Sequence, residues 1–150
     1  MKLITVENDK KGILTTPLTQ VNVEDAKALQ KAVKNLDKMV KVLEEHSGLG
    51  LTANQVGLTD AMFVFQLKDG SIEYVINPEI VARTGGYKTE KEGCLSYPEV
   101  GHVDVRRSKE IIMNYHNGTS YVIKRKFKGL EARICQHEEA HVKGLCALIK

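Results

Sequence analysis

The sequence predicts an α+β fold in which antiparallel sheets pack around a C-terminal helix, with a long helix near the N-terminus. Three observations predict it: apolar residues recur at helical spacing early in the chain, β-rich runs fill the middle, and helical spacing returns near the end. We expect a single domain over residues 1 to 150, because no internal repeat and no Pro- or Ser-rich linker divides the chain.

The first helix is predicted from about residue 23 to 46. Apolar residues recur there at three- and four-residue steps, which makes one helical face apolar. They are Leu29, Ala32, Val33, Leu36, Val40 and Leu43. Asn22 and Asp25 can cap the start of this helix, and Gly48 is available as its left-handed stop.

Four strand-like runs follow the glycine-rich segment GLGLTANQVG. They are MFVFQL at 62 to 67, IEYVINPEIV at 72 to 81, DVRRSKEIIMNYH at 104 to 116 and YVIKRKFKG at 121 to 129. Asn117 and Gly118 lie between the last two runs, and Asn-Gly between β-rich segments is a strong hairpin signal. The closing helix is predicted at about 129 to 147, with one stripe formed by Leu130, Ile134, His137, His141, Leu145 and Leu148.

The closing helix carries the most informative motif, His-Glu-x-x-His within QHEEAH. His137 and His141 are four residues apart and project from one helical face, so both imidazoles can bind a single cation. Glu138 beside them can handle a proton of metal-activated water, which favours a metal-dependent hydrolase. Two alternatives stay open: the histidines are satisfied core residues, or the short motif arose by chance on a polar face.

A catalytic metal site typically has a third protein ligand and an open position for water. Cys94 is the favoured candidate, because Gly93 lets the backbone approach closely and the Ser-Tyr-Pro turn restricts how the chain leaves. Alone, Cys94 would be read as a small buried hydrophobe. The other His and Cys residues are assigned to a helix end, polar turns, the core or the chain end: His46, His102, His116, Cys135 and Cys146.

Composition limits the other function classes. Hydrophobic (42%) and charged (27%) fractions are ordinary for a soluble globular protein. The formal charge of +3 comes from Lys and Arg interspersed with Asp and Glu, so we expect a solvated surface, weak attraction for polyanions and no specific nucleic-acid partner. Three cysteines without framework spacing favour a reducing compartment. With neither a signal-like start nor a membrane-length apolar stretch, the expectation is a cytoplasmic protein without a membrane partner.

Three segments together resemble the signature motifs of the peptide deformylases, in the family's order. They are GLGLTANQ at 48 to 55, EGCLS at 92 to 96 and QHEEAH at 136 to 141, and the likeness extends over most of residues 12 to 145. The resemblance implies one divalent metal ion held by Cys94, His137 and His141, with Fe(II) usual and Zn or Ni as substitutes. It also implies removal of the formyl group from N-formylmethionyl peptides and nascent chains.

The resemblance assigns roles to residues around that ion. Glu138 would act as general acid and base, while the side-chain amide of Gln55 and the backbone N–H of Leu95 would stabilise the oxyanion. The alternative for the first motif is purely structural, since Gly48 can stop a helix and Gly50 can permit a tight turn.

The resemblance also implies where the substrate binds. Backbone groups at Leu49, Gly50 and Gly93 would pair with the extended peptide as an added strand. The apolar pocket for the methionine side chain would be lined by Leu49, Leu130 and Ile134, with ordinary core as the alternative. An ion pair between Glu92 and Arg106 would orient the metal ligands, with a plain surface pair as the alternative.

The sequence departs from the family pattern in several places. Ala140 stands where an Asp usually precedes the second metal histidine, so a group that orients a ligand is missing, and Thr52 replaces the first Ala of the first motif. The chain ends a few residues after the ligand helix. We therefore expect a short form without a C-terminal extension, of a kind that a virus could encode. Direct ribosome docking through such an extension is in doubt, which leaves transient proximity to the ribosome.

Two other functions remain open at this point. His-Glu-x-x-His also serves peptidases, whose third ligand is generally a further His or a Glu. A non-catalytic homologue would instead have a closed metal site, with a fourth protein ligand in the position of water. The identity of the third and fourth ligands therefore distinguishes the three functions.

Overall fold

The structure is a computed structural model that describes residues 1–145 and residue 148. Over this part of the chain it contains two α-helices and five strands, together with short 3-10 turns. In chain order the elements are α1 (Ala26–Glu45), β1 (Gly50–Thr52), β2 (Met62–Gln66), β3 (Ile72–Glu92), β4 (Val103–His116), β5 (Tyr121–Lys128) and α2 (Gly129–Val142). The strands form one sheet in the order β1-β2-β3-β4-β5, with every neighbouring pair antiparallel. The predicted α+β class is confirmed.

Helix α1 lies close to its predicted position but ends differently. The Asp25 side chain caps it by accepting hydrogen bonds from the N–H groups of Lys27 (3.0 Å) and Ala28 (3.4 Å). The left-handed residue at the C-terminus is Ser47, with φ 51°, so the assignment of that role to Gly48 is wrong. Gly48 follows one position later and donates to the carbonyl of Leu43 (3.1 Å), as the second residue of a Schellman motif does.

Gly48 instead meets a packing requirement, because there is no room for a side chain at this position. A Cβ there would lie 2.8 Å from Leu43 Cδ1 and 2.9 Å from Leu95 Cδ1. The absence of a side chain therefore lets the segment after α1 pass close to the loop that carries Leu95.

Strand β3 extends eleven residues beyond its predicted end at 81, to Glu92. Its second half pairs with β4 from Thr84↔Glu110 to Glu92↔Val103 and is mostly exposed on both faces. A strand with two solvated faces shows no alternation of apolar and polar residues, so its pattern carries no strand signal. The three-residue β1 is too short for such a signal and was not predicted either.

The predicted hairpin between β4 and β5 is confirmed. Its loop covers residues 117 to 120, where the Asn117 N–H donates to the Ser120 carbonyl (3.0 Å). The Asn117 side chain accepts from the N–H groups of Thr119 and Ser120, both at 2.9 Å, and Gly118 supplies a positive φ of 94°. The Asn117 side chain, part of the Asn-Gly pair that predicted the hairpin, thus closes the loop.

The two helices pack on opposite faces of the sheet. Along β2, Met62 and Val64 join the apolar cluster that contains α1, while Phe63 and Phe65 join the cluster that contains α2. This division follows from the two-residue period of a strand. Strand β2 is buried on both faces as a result, and α2 is buried along most of its length.

Helix α2 ends earlier than predicted, at Val142 instead of 147. Gly144 adopts a left-handed φ of 75°, and the N–H of Leu145 donates to the Ala140 carbonyl (3.0 Å). Leu145 is therefore exposed, contrary to the predicted stripe, whereas Leu148 is buried. Cys146 and the last residue of the predicted helix, Ala147, lie outside the described residues. Among the described residues, neither α1 nor α2 combines the length and the apolar composition of a membrane-spanning helix.

Candidate metal centre and active site

Helix α2 and the loop after β3 bring three metal-ligating side chains together. His137 and His141 lie one turn apart on α2, and Cys94 follows the end of β3 by two residues. One ligand atom from each lies within 4.8 Å of the others, and Cys94 Sγ is 3.3 Å from His141 Nε2. His141 is fully buried and His137 is 9% exposed. Residues 43 positions apart in sequence thus form one compact donor set.

The donor set suits a transition-metal ion. A thiolate with two imidazoles is a ligand combination typical of zinc and iron-group ions. Burial lowers the pKa of His141 to about 3, which keeps its imidazole neutral and able to coordinate. Burial opposes a charge on His137, but the negative charge of Glu138 and hydrogen bonds to Cys94 and Glu92 outweigh it and raise the pKa of His137 to about 10. The carboxylates of Glu138 and Glu92 therefore favour positive charge at His137.

The other histidines and the buried cysteine lie outside this donor set. His46 and His102 are exposed at the rim of the adjoining cavity, and the ring of His102 lies over Gly93. His116 accepts a hydrogen bond from the Gly118 N–H (3.0 Å) at the β4–β5 hairpin. Cys135 is in the core, where burial raises the pKa of its thiol well above the usual value.

Glu92 orients the first histidine. Its Oε1 accepts a hydrogen bond from His137 Nδ1 (2.9 Å), and Arg107 holds the same carboxylate with two bonds, Nε to Oε2 (3.1 Å) and Nη2 to Oε1 (3.0 Å). The Nε of Arg133 forms a further ion pair with Oε2 at 2.8 Å. Burial alone would raise the pKa of Glu92, but the bonds from His137 and Arg107 lower it to about 2. A charged carboxylate on the far nitrogen fixes the tautomer and the ring orientation of a metal-ligating histidine.

The prediction that Arg106 pairs with Glu92 is wrong, and the partner is Arg107. Glu92 is opposite Val103 in the β3–β4 register, and side chains on one face of a strand recur every second residue. Arg107 therefore shares the face of Glu92, whereas Arg106 points to the other face. There its guanidinium stacks on the ring of Tyr87, 4.2 Å from the centroid.

The second histidine is held differently from the first. Its Nδ1 is buried and has no hydrogen-bond partner among the described residues. Its ring stacks on Tyr97, with centroids 6.4 Å apart and planes 12° from parallel, and the Asn54 amide donates to its backbone carbonyl (2.8 Å). Packing and a backbone bond thus position His141, in keeping with the missing acidic residue at Ala140.

Glu138 lies beside the donor set and is buried. Its Oε2 is 4.0 Å from His137 Nε2, and its Oε1 accepts a hydrogen bond from the Thr52 hydroxyl (2.8 Å). Burial raises the pKa of Glu138, although the charge of His137 and the bond from Thr52 act in the opposite direction. A carboxyl group with a raised pKa next to a metal site can both accept and deliver a proton near neutral pH.

Gln55 is oriented by three partners. Its Oε1 accepts from the Thr52 N–H (2.9 Å), and its Nε2 donates to Ser96 Oγ (3.1 Å) and lies 3.8 Å from Cys94 Sγ. The Ser96 hydroxyl in turn donates to the Ile4 carbonyl (2.6 Å), and the Ile4 N–H donates to the Gln55 carbonyl (2.6 Å). Ser96 belongs to the motif EGCLS but was not predicted as a site residue, and no sequence signal pointed to Ile4.

A cavity of about 770 Å³ opens beside these groups. Its walls include the residues predicted to bind substrate: Leu49, Gly50, Gly93, Leu130 and Ile134. Leu49 and Leu130 are 45% and 58% exposed, so the alternative that they are ordinary core residues is wrong, whereas Ile134 is only 7% exposed. Leu95 and Gln55 line the same cavity. Strand β1 forms the edge of the sheet next to it.

Comparisons with known proteins agree with this geometry. The polypeptide deformylase family model matches residues 1–149. A peptide deformylase of Thermotoga maritima is 36% identical over 112 residues, covering 75% of this chain and 67% of the relative. That of Dictyoglomus turgidum is 33% identical over 133 residues, covering 88% and 85%.

Solved structures are similar over nearly the whole chain. The crystal structure of the Thermotoga maritima peptide deformylase aligns with a TM-score of 0.84 and 30% identity, covering 97% of this chain and 92% of that one. A probable peptide deformylase from synechococcus phage S-SSM7 aligns with a TM-score of 0.85 and 27% identity, covering 97% and 96%. The deformylase of the Vibrio parahaemolyticus bacteriophage VP16T, solved in complex with actinonin, gives 0.84 and 27%, covering 97% and 99%.

Proposed function

The chain belongs to the peptide deformylase family of enzymes, and we propose that it hydrolyses the N-terminal formyl group of formylmethionine on newly made polypeptides. The observation that carries the proposal is the convergence of Cys94, His137 and His141 beside the carboxylate of Glu138 at the wall of a cavity. A peptidase of the His-Glu-x-x-His type would use a His or Glu as third ligand, and the third donor here is a thiol. Within the described residues the donor cluster has three members, which leaves a coordination position for water.

We propose that the three donors hold one divalent ion, Fe(II) in the native enzyme, with Zn or Ni as substitutes. When bound, the ion supplies Lewis acidity that lowers the pKa of water toward neutrality. Glu92, Arg107 and Arg133 keep the His137 ring oriented for this ligand set. The phage relatives show that viral genes encode proteins of this fold.

Glu138 carries the proton in the proposed reaction. Its carboxylate takes a proton from the attacking water as the new carbon–oxygen bond forms at the formyl carbon. It then gives that proton to the amine nitrogen as the carbon–nitrogen bond breaks, so formate and a free methionine amine leave. The raised pKa of this buried carboxyl group suits both halves of the transfer.

Gln55 and Leu95 are the proposed donors to the oxygen that becomes negative. A side-chain amide carries two N–H groups, and Gln55 uses one of them for Ser96 Oγ. The other donates to Cys94 Sγ at 3.8 Å, and we propose that it turns to the substrate oxygen and acts there together with the backbone N–H of Leu95. Loss of one such donor typically lowers the rate by about 10² to 10³.

We propose that the methionine side chain occupies the part of the cavity lined by Leu49, Leu130 and Ile134. The peptide would lie extended along β1 and pair with backbone groups at Leu49, Gly50 and Gly93, in the manner of an added edge strand. We expect the enzyme to act in the bacterial cytoplasm, or in that of a host if the gene is viral, with at most transient proximity to the ribosome.

Anaerobic purification, elemental analysis and kinetics on matched formylated and unformylated methionyl peptides test this function. We expect about one metal ion per chain, release of formate from the formylated peptide, and no cleavage of the unformylated peptide. Glu138→Ala should retain the metal and lose turnover by about 10² to 10⁴, because only the proton carrier is removed. Metal loss in this variant, or hydrolysis of internal peptide bonds by the wild type, would contradict the assignment.

A further inference from the structure

Thr52 is buried behind Glu138, at the end of β1, where the family pattern described above has alanine. We propose that Thr52 is a positioning residue, whose hydroxyl holds one oxygen of the Glu138 carboxylate so that the other faces the reacting atoms. This inference rests on the proposed function, because it assigns a task to Thr52 through the proton transfer of Glu138.

The two carboxylate oxygens of Glu138 have different surroundings. Oε1 accepts the Thr52 hydroxyl at 2.8 Å. Oε2 lies on the other side, 4.0 Å from His137 Nε2 and so close to Gly50 that a Cβ there would be 2.6 Å away. A hydrogen bond to Oε1 fixes the rotation of the carboxylate about its terminal bond, which is otherwise a broad torsion. The orientation of Oε2 follows from it.

The Thr52 hydroxyl has a second acceptor nearby, the backbone carbonyl of Glu138 at 3.1 Å. That carbonyl lies within α2, where carbonyls already accept a hydrogen bond from the residue four positions later. The carboxylate is nearer, and a hydrogen bond to a charged oxygen is stronger than one to a neutral carbonyl. The single hydroxyl proton is therefore directed to Oε1.

Thr52 is itself rigidly placed. It is fully buried, and its own N–H is bound to Gln55 Oε1 (2.9 Å), so one residue aligns the proposed proton carrier and a proposed oxyanion donor. Thr52 does not line the cavity, so we expect it to make no contact with a bound peptide. Loss of its hydroxyl should consequently change the chemical step and leave substrate binding unchanged.

Two substitutions separate the hydroxyl from the volume of the side chain. Thr52→Val keeps the shape and removes the donor, and Thr52→Ser keeps the donor and removes a methyl group. For the metal-loaded enzyme on a formylmethionyl peptide, we expect Thr52→Val to lower kcat by about 10- to 100-fold at nearly constant KM, the effect of losing one bond to a charged group. Thr52→Ser should stay within about threefold of the wild-type kcat. Thr89→Val, on the exposed part of β3, is the matched control and should behave as wild type.

A double-mutant cycle shows whether Thr52 acts through Glu138. In a Glu138→Ala background, Thr52→Val should cause no further loss, because the group that it positions is gone. Metal content, and the absorption spectrum of the Co(II)-substituted protein, should match between Thr52→Val and wild type, because the ligands are untouched. Additive losses in the cycle, or altered metal binding, would overturn the inference and indicate a structural role.

The outcomes also separate this inference from the proposed function. If wild-type protein with bound metal releases no formate, the proposed function fails. If it releases formate and Thr52→Val retains the wild-type kcat, the positioning role fails and the function stands. If Thr52→Val does not fold, the same comparison can be made between Thr52→Ala, which lacks the hydroxyl, and Thr52→Ser, which keeps it. Equal kcat values in that pair would likewise overturn the positioning role of Thr52.

Discussion

A methyl group added at Gly50 is a direct test of how tightly the proposed proton carrier is held. Gly50 begins β1, and its φ is not positive, so its backbone accepts an alanine without strain. The obstacle is contact alone: the new Cβ would lie 2.6 Å from Oε2 of Glu138 and 3.0 Å from its Cδ. Gly50→Ala therefore acts on the orientation of the Glu138 carboxylate and removes no functional group.

The size of the effect follows from the overlap. An ordinary contact of this kind is 3.4 Å or longer, and the separation is 2.6 Å, so the carboxylate or β1 must move by about 0.8 Å (3.4 − 2.6). The carboxylate is already held from the other side by Thr52, so it has little room to turn. A displacement of about 1 Å in a reacting group costs about 10² in rate, and we expect a fall in kcat of that order. Overpacking should lower the free energy of unfolding by about 1 to 3 kcal/mol.

Formate release from a formylmethionyl peptide, measured at equal metal content, gives kcat for Gly50→Ala and wild type. Gly86→Ala is the control, because a Cβ at Gly86 meets nothing within 4 Å and the residue lies far along the β3–β4 hairpin. It should lose some stability through its positive φ of 77° and keep its kcat. A Gly50→Ala enzyme with kcat within about threefold of wild type would refute the close packing of Glu138 against β1.

Two further predictions concern the ligands and their support. Cys94→Ser should retain the fold and lose most of its metal in a chelator competition, because an alcohol is a poor substitute for a thiolate; full occupancy would mean that another residue is the third ligand. The pKa of Glu92 is lowered from 4.5 to about 2, so in metal-free protein its stabilising contribution is complete above pH 4.5 and is lost as the pH falls to about 2. Between pH 4.5 and pH 2, the free energy of unfolding should therefore fall by about 3 kcal/mol more for the wild type than for Glu92→Gln, as measured by chemical denaturation. Parallel pH dependences for the two proteins would contradict the ion-pair geometry.

The local pattern of apolar and polar residues predicted the elements that have one buried and one solvated face. The apolar stripe of α1 is buried on one side, and the Asn117 side chain closes the hairpin that it signalled. The same reasoning assigned the left-handed stop of α1 to Gly48, whereas Ser47 adopts that conformation and Gly48 instead passes close to Leu95. That contact joins segments 47 residues apart and leaves no trace in local sequence.

The assignment of Arg106 shows a different limit. Arg106 and Arg107 are adjacent and chemically identical, so only the β3–β4 register tells which of them faces Glu92. Register depends on three irregularities along that hairpin, and each one exchanges the faces of all residues beyond it. Motif position alone therefore could not distinguish Arg106 from Arg107 as the partner of Glu92.

The part of β3 that the sequence pattern missed is the part that leads to Cys94. The exposed second half of β3 has polar residues on both faces, and it ends at Glu92, directly before Gly93 and Cys94. Its pairing with β4 fixes where the strand stops, and Arg133 of α2 binds the carbonyls of Lys88 and Glu90 to hold it there. This solvated half of β3 thereby places the Cys94 thiol next to His137 and His141. Its own stability comes from cross-strand pairs and from the buried Arg133. The position of Cys94 relative to His137 and His141 therefore depends on this hairpin as well as on the apolar core.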